Sequence, residues 1–227
     1  MSVLLWDKVG ERKYETGVDH VVLYKMENGA YSAGVAWNGV SAISQSPSGA
    51  EANAVWADNI KYLNILSNED FAASLEAYMY PDEWEECDGL RSPASGLTMG
   101  QQARKSFGLT WRTLIGNDEV GTDYGYKIHF LWNGLAAPAE RANNTVNDSP
   151  EAMTMSWEIS TTAPTMTSTD ASGKVYRPTA HMEIDSTKID ASILATIEEL
   201  IYGTESTDPT LPTPDELISI VTGEVSA

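Results

Sequence analysis

Five carboxylates crowd into seven residues at Asp82, Glu83, Glu85, Glu86 and Asp88, with Gly89 behind them. Several hard oxygens on a tight turn is the pattern that binds calcium, but the spacing is not that of an EF-hand loop. The run reads as a solvated acidic turn, or as a cation-stabilised contact between subunits. The three histidines, His20, His129 and His181, fall in or beside predicted strands, without the short spacing that puts two on one metal, and read as satisfied strand residues. Cys87 stands alone, which excludes an internal disulfide and a thiolate metal cluster and fits a reducing compartment. The chain has no G-x-S-x-G, H-E-x-x-H, P-loop or G-x-G-x-x-G, so the usual nucleophile, zinc and phosphate sites have no sequence support. A carboxylate pair for glycoside cleavage cannot be picked from 33 acids. Seven tryptophans suit a sugar-binding platform, but most lie inside strand patterns where core or interface packing is the commoner use. Arg104-Lys105 is too small a basic patch for nucleic acid. The expectation is therefore no catalytic residue, no cofactor and no metal.

The elements that would hold any site are mainly strands. Val18–Met26, Ala30–Trp37, Val40–Ile43, Ala54–Trp56, Ile60–Leu66 and Phe71–Tyr80 are rich in β-branched and aromatic residues, with a helix as the competing reading for Phe71–Met79. Asn28-Gly29, Asn38-Gly39 and Asn133-Gly134 punctuate them as hairpin signals, because both residues accept positive φ. Ser106–Ile115 and Tyr126–Trp132 flank a polar loop from Gly116 to Gly125. Met153, Met155, Trp157 and Ile159 alternate with polar residues, the clearest period of two in the chain. Lys174–Ile184 is the last predicted strand, after a loop over Thr165–Gly173. The period then changes. Asp190 caps a helix through Tyr202 that stops at Gly203, and Thr213-Pro214-Asp215-Glu216 announces a second, shorter helix by N-cap, Pro and capping box. The fold class expected is mainly β, a β-sandwich or partial barrel with one or two flanking α-helices, α+β by count. The division expected is a β domain over 1–203 containing helix 190–202, and a C-terminal arm over 204–227, whose connector Thr204–Pro212 is long enough to reach a neighbouring subunit.

Charge is the strongest bulk signal: 33 Asp and Glu oppose 14 Lys and Arg, a net −19. Such a surface repels phosphates and disfavours binding to nucleic acid by counterion release. The acids are segregated. Residues 51–90 hold 10 acids and 1 base and residues 151–227 hold 13 and 3, while 1–50 and 91–150 are nearly neutral. Neutral segments allow copies to meet while another face keeps its charge. No signal-peptide pattern opens the chain, and the uncharged stretch from Asn28 to Ala50 is too interrupted by Asn, Gly, Gln and Pro to span a membrane.

Arg104-Lys105-Ser106-Phe107-Gly108-Leu109-Thr110-Trp111-Arg112-Thr113-Leu114-Ile115-Gly116-Asn117-Asp118 resembles the major tail proteins that build the tail tube of long, non-contractile tailed bacteriophages. Lys127 to Trp132, Ala137 to Arg141, Val146 to Met153 and Ser156-Trp157-Glu158 follow in that family's order. Trp56 to Tyr62, Glu76 to Trp84 with Cys87-Asp88-Gly89, Tyr202 to Glu205 and Leu211 to Glu216 do likewise. The resemblance implies a structural virion protein of the tail, made in the host bacterial cytoplasm. Its partners are then itself, in hexameric rings that stack into a tube, and the tail terminator, tape measure and distal tail proteins. Double-stranded DNA slides through the acidic lumen without specific binding, and no membrane is involved. Ring contacts are expected from Met1–Thr16, Ser44–Asn53, Asn117–Tyr124 and Thr204–Ala227, with Trp6, Gln45, Glu51, Asn117, Asp118, Glu119, Asp123, Tyr124, Thr213, Asp215 and Glu216 as the interface residues. The alternative from another class is a β-sandwich binding module for cell-surface glycan or protein, using exposed tryptophans; a glycoside hydrolase is the third reading.

Overall fold

The structure is a computed structural model that describes residues 3–146, 148, 152–170 and 172–223. Met1 and Ser2, four residues of the Val146–Met153 segment (Asn147, Ser149, Pro150, Glu151), Ala171 and the last four residues of the C-terminal arm lie outside the described residues.

In chain order the elements are β1 (Lys13–Glu27), β2 (Ala30–Tyr31), β3 (Val35–Ala36), β4 (Val40–Gln45), β5 (Ser48–Gly49), β6 (Ala52–Ala57), β7 (Ile60–Leu66), β8 (Glu69–Asp70) and β9 (Ala72–Ala77). They continue with α1 (Trp84–Cys87), β10 (Arg91–Ala94), β11 (Leu97–Met99), β12 (Phe107–Asn117), β13 (Gly121–Ala136), β14 (Met155–Thr161), β15 (His181–Asp185), α2 (Ala191–Tyr202) and α3 (Pro214–Thr222). One antiparallel sheet runs β2-β1-β12-β13-β14-β9-β4, with β15 paired to β13 and β3 paired to β1. The sheet curls until β4 comes alongside β1 without pairing to it, so it is an open, partial barrel. This is the mainly-β class that the alternation pattern predicts, flanked by α2 and α3.

The strands β1, β12 and β13 form a spine with a core on each face. Val21, Leu23, Leu109, Trp111 and Leu131 point one way and join Trp37, Leu75, Trp84 and Trp157 inside the curl. Val22, Tyr24, Ile128, Phe130 and Trp132 point the other way, onto Leu194, Ile197 and Ile201 of α2 and Leu217 of α3. Alternation in the strands thus feeds two cores, because successive side chains leave opposite faces. Both helices are capped as their sequences predict: Asp190 accepts the Ser192 N–H at 2.8 Å, and Thr213 and Glu216 form the reciprocal capping box.

Several local expectations change. Asn28-Gly29 does make the β1–β2 turn, with φ of 52° and 84°. Asn38-Gly39 joins β3 to β4, which pair with different neighbours. Asn133, at φ 49°, sits inside β13 as a bulge, where the strand's partner changes from β15 to β14. Tyr31 Oη and the Asn133 side chain and N–H hold that bulge at 3.1 and 2.9 Å. The predicted strand Ala30–Trp37 breaks because the Gly34 N–H is taken by Pro209 O at 2.9 Å. The polar loop after Gly116 shrinks to a tight turn, since Asn117 Oδ1 accepts the N–H groups of Glu119 and Val120, and residues 121–125 extend β13. Before His181, the Asp170 carboxylate gathers the N–H groups of Ser172 and Lys174 into a local turn, so Lys174–Ala180 does not join the sheet.

The connector Thr204–Pro212 is fastened down. Trp132 Nε1 donates to Pro212 O at 2.8 Å, Thr210 N–H to Leu200 O at 2.8 Å, and Leu211 is buried against β12. Gly108 makes that approach possible: a Cβ there would sit 2.2 Å from Leu211 Cδ2 and 3.1 Å from Leu131 O. Gly108→Ala is therefore expected to cost about 1–3 kcal/mol through overpacking, read as a lower urea midpoint with unchanged slope.

Candidate assembly surface

The acidic run of residues 82–88 does not converge on one point. Asp88 is buried and pairs with Arg141 Nη2 and, at 3.2 Å, with Arg104 Nη1. Glu86 lies between Lys105 at 2.7 Å and Lys25 at 2.9 Å; hydrogen bonds from these two ammonium groups pull its carboxyl down to about 2. Glu85 accepts Ser92 Oγ at 2.8 Å. The cluster fastens α1 to β1, to the start of β12 and to the segment after β13. Among the described residues no three His, Cys, Asp or Glu side chains are grouped to hold a metal ion, and no helix is long and apolar enough to cross a membrane.

The exposed apolar surface is more informative. Among the described residues, strands β6 and β7 pair only with each other, and they turn at Asp58-Asn59, whose φ values of 51° and 61° give the left-handed pair of a hairpin turn. The two short strands β5 and β8 form a neck that joins this hairpin to the body. Val55, Trp56, Ile60, Tyr62, Leu63, Ile65 and Leu66 are all exposed, Trp56 and Leu66 to 67%. Leu63 lies opposite Val55 and Ile65 opposite Asn53 on one face, while Leu66 and Trp56 belong to the other register positions. A two-stranded ribbon with no third layer is marginal in water, and exposed apolar side chains on both of its faces mark a surface meant to be covered.

The predicted interface residues divide into three places. Trp6, 76% exposed, belongs to an N-terminal arm in which Val3, Leu4, Leu5 and Val9 are also exposed. The foot of that arm is tied to the β12–β13 tip, since Gly10 N–H donates to Asp118 Oδ1 at 3.0 Å and Asn117 Nδ2 to Gly10 O at 3.2 Å. Glu119 and Asp123 are exposed beside it, and Lys13 covers the Tyr124 ring at 4.5 Å. Those two hydrogen bonds hold the foot of the arm against the tip. Gln45 and Glu51 lie at the neck. Thr213, Asp215 and Glu216 already have structural duties: two close the capping box, and Asp215 accepts from Thr167 and Ser168. Burial would raise the Asp215 carboxyl, but these hydrogen bonds draw it down to about 2. Five of the seven tryptophans are buried, which leaves Trp6 on the arm and Trp56 on the ribbon as the exposed ones. Sequence reasoning finds β6 and β7 as strands but misses them as a surface. The signal is that Ile60–Leu66 carries apolar residues at both phases of the period, between polar stems that cannot bury it.

No protein-family model matches the chain, and no curated protein does. Among solved structures, a chain of the anti-feeding prophage (AFP) baseplate is similar with a TM-score of 0.34 at 10% identity, covering 80% of this chain and 97% of that one. A chain of an extracellular contractile injection system, the PVC sheath-tube complex in its extended state, has a TM-score of 0.31 at 10% identity, covering 73% and 88%. Values this low do not establish a common fold or a common role.

Proposed function

We propose that this protein is a structural subunit of a phage tail, one copy of a ring that stacks into the tail tube. The observation that carries the reading is the hairpin of residues 52–66: a folded body projects an apolar ribbon that the other described residues leave exposed. The ordered resemblance to tail-tube proteins names the kind of assembly. The open, curled sheet supports it, because closure with neighbouring copies removes edges that a lone subunit leaves exposed. Stacking hairpin onto body is a head-to-tail contact, which propagates as a filament. The charge of −19 then keeps DNA sliding, since an anionic wall repels phosphates.

Negative-stain electron microscopy of concentrated protein tests this: rings or tubes with a central hole are expected, and a monomer at every concentration, alone or with tail partners, would sink it. In assembled tubes, Asp and Glu on the bore changed to Lys are expected to slow DNA ejection with assembly intact. Unchanged ejection kinetics would remove the repulsion argument.

A further inference from the structure

Gln45 and Phe71 are where the chain leaves the body for the neck and hairpin and where it returns. Each meets one imidazole of a pair held in the body. Gln45 Nε2 stands 3.3 Å from His129 Nδ1, and the Phe71 ring lies flat on His181, centroids 4.4 Å apart and planes within 1°. His129 on β13 and His181 on β15 approach to 3.4 Å between Nδ1 and Nε2. Trp111 of β12 stacks on both. The His129 side chain is 2% exposed, whereas His181 borders an open cleft of about 790 Å³ whose wall includes Asn68, Asp70 and Phe71.

The charges facing the pair accommodate one proton. Glu15 from β1 stands 3.7 Å from His129 Nε2, and Glu183 from β15 stands 3.8 Å from Nδ1. Lys127 on β13 binds both carboxylates, at 3.0 and 3.2 Å, so the three together carry a single negative charge. Thr113 from β12 and Gln45 from β4 add neutral contacts. Arg177, from the segment before β15, lines the same cleft as Glu69 and Asp70 of the neck. Two neutral imidazoles share a proton between nitrogens; two imidazolium ions present N–H groups and like charge to each other at 3.4 Å.

We propose that the His129–His181 pair is a proton-operated hinge for the hairpin: the second proton taken up on acidification parts the two rings, moves His181 off Phe71 and frees the neck. Burial lowers both imidazoles, and the charge of His129 drives His181 further down, to about 4. Groups lowered in the folded state bind protons more readily once released, so the closed hinge is complete at neutral pH and is lost as pH falls from the ordinary imidazole range toward 4. Acid would thus reorient the assembly surface. That consequence rests on the function proposed above; the hinge itself does not.

Amide hydrogen exchange on the full chain tests it. The Ser46 N–H, bonded to Ala72 O, and the Ala50 N–H, bonded to Asn68 O, report on the neck. On going from neutral pH to pH about 4, their protection factors are expected to fall about tenfold or more while those of β12 and α2 hold. In His129→Gln/His181→Gln the fall should vanish. Should that variant not fold, imidazole NMR titration of the wild type replaces it, and the neck amide shifts must follow the lower of the two histidine steps. Unchanged neck protection, an equal fall in the variant, or a fall shared with β12 and α2 would overturn the hinge. Exchange read on unassembled chains stands whether or not tubes form, so failure of assembly and failure of the hinge are separately visible.

Discussion

Lysine at both Leu63 and Ile65 is expected to leave the subunit folded and to stop it assembling. The two side chains share one face of the β6–β7 ribbon and belong to neither core, so the body's cores lose no packing and its stability should move by about 0.5 kcal/mol or less. Leu63 and Ile65 are 41% and 58% exposed, so covering each by a neighbouring copy contributes about half of the roughly 1.5–3 kcal/mol of full burial. Losing both weakens each contact by about one to two powers of ten in affinity, before the cost of burying the new ammonium groups. Sedimentation velocity across a concentration series, beside a thermal melt by circular dichroism, separates the two effects. Assembly at the wild-type concentration would show that the ribbon is not the contact, and a collapsed melt would show that it belongs to the body.

Asp88→Ala should be the most destabilising single change of a charged residue. Asp88 is buried between Arg104 and Arg141, Arg104 also reaches Ala136 O at 3.1 Å, and Arg141 reaches the Tyr80 hydroxyl at 3.2 Å. Removing the carboxylate leaves two guanidinium groups, each partly buried, without their counter-ion. Breaking such a pair costs about 3–5 kcal/mol, a large share of the roughly 5–15 kcal/mol that holds a domain together. Urea denaturation should show a lower midpoint, and the segment after β13, which Arg141 ties to α1, should become sensitive to protease. A loss below about 1 kcal/mol would mean that the arginines swing into water and that the latch is no stronger than a surface ion pair.

How much of this was legible depended on how local the cause was. Asp190 and the Thr213-Pro214-Asp215-Glu216 run act within one helical turn, and both helices start where those residues put them. The alternation Met155, Trp157, Ile159 acts within one strand, and β14 buries those three side chains. Asn133-Gly134 misleads because its positive φ serves a bulge, and what decides that is Tyr31, 102 residues away. The His129–His181 pair needs β13 and β15 to be neighbours, which no spacing reveals. The carboxylates of residues 82–88 look like one site because they are adjacent in sequence, yet the turn aims them at different partners, Asp88 at Arg104, Glu86 at Lys105 and Glu85 at the Ser92 hydroxyl. The ribbon is the deepest case. Ile60–Leu66 reads as one more strand; apolar residues at both phases ask for cover on both faces, and nothing local says whether the same chain or another supplies it.

The three-strand spine carries a further consequence, for how the molecule melts. Because β1, β12 and β13 are the wall of both cores, neither the tryptophan side nor the helix side can dissolve without stripping solvent protection from the reverse of the same strands. The body should therefore lose structure in one cooperative step, and a ligand or mutation that firms up α2 will raise the resistance of residues on the far face that it never touches.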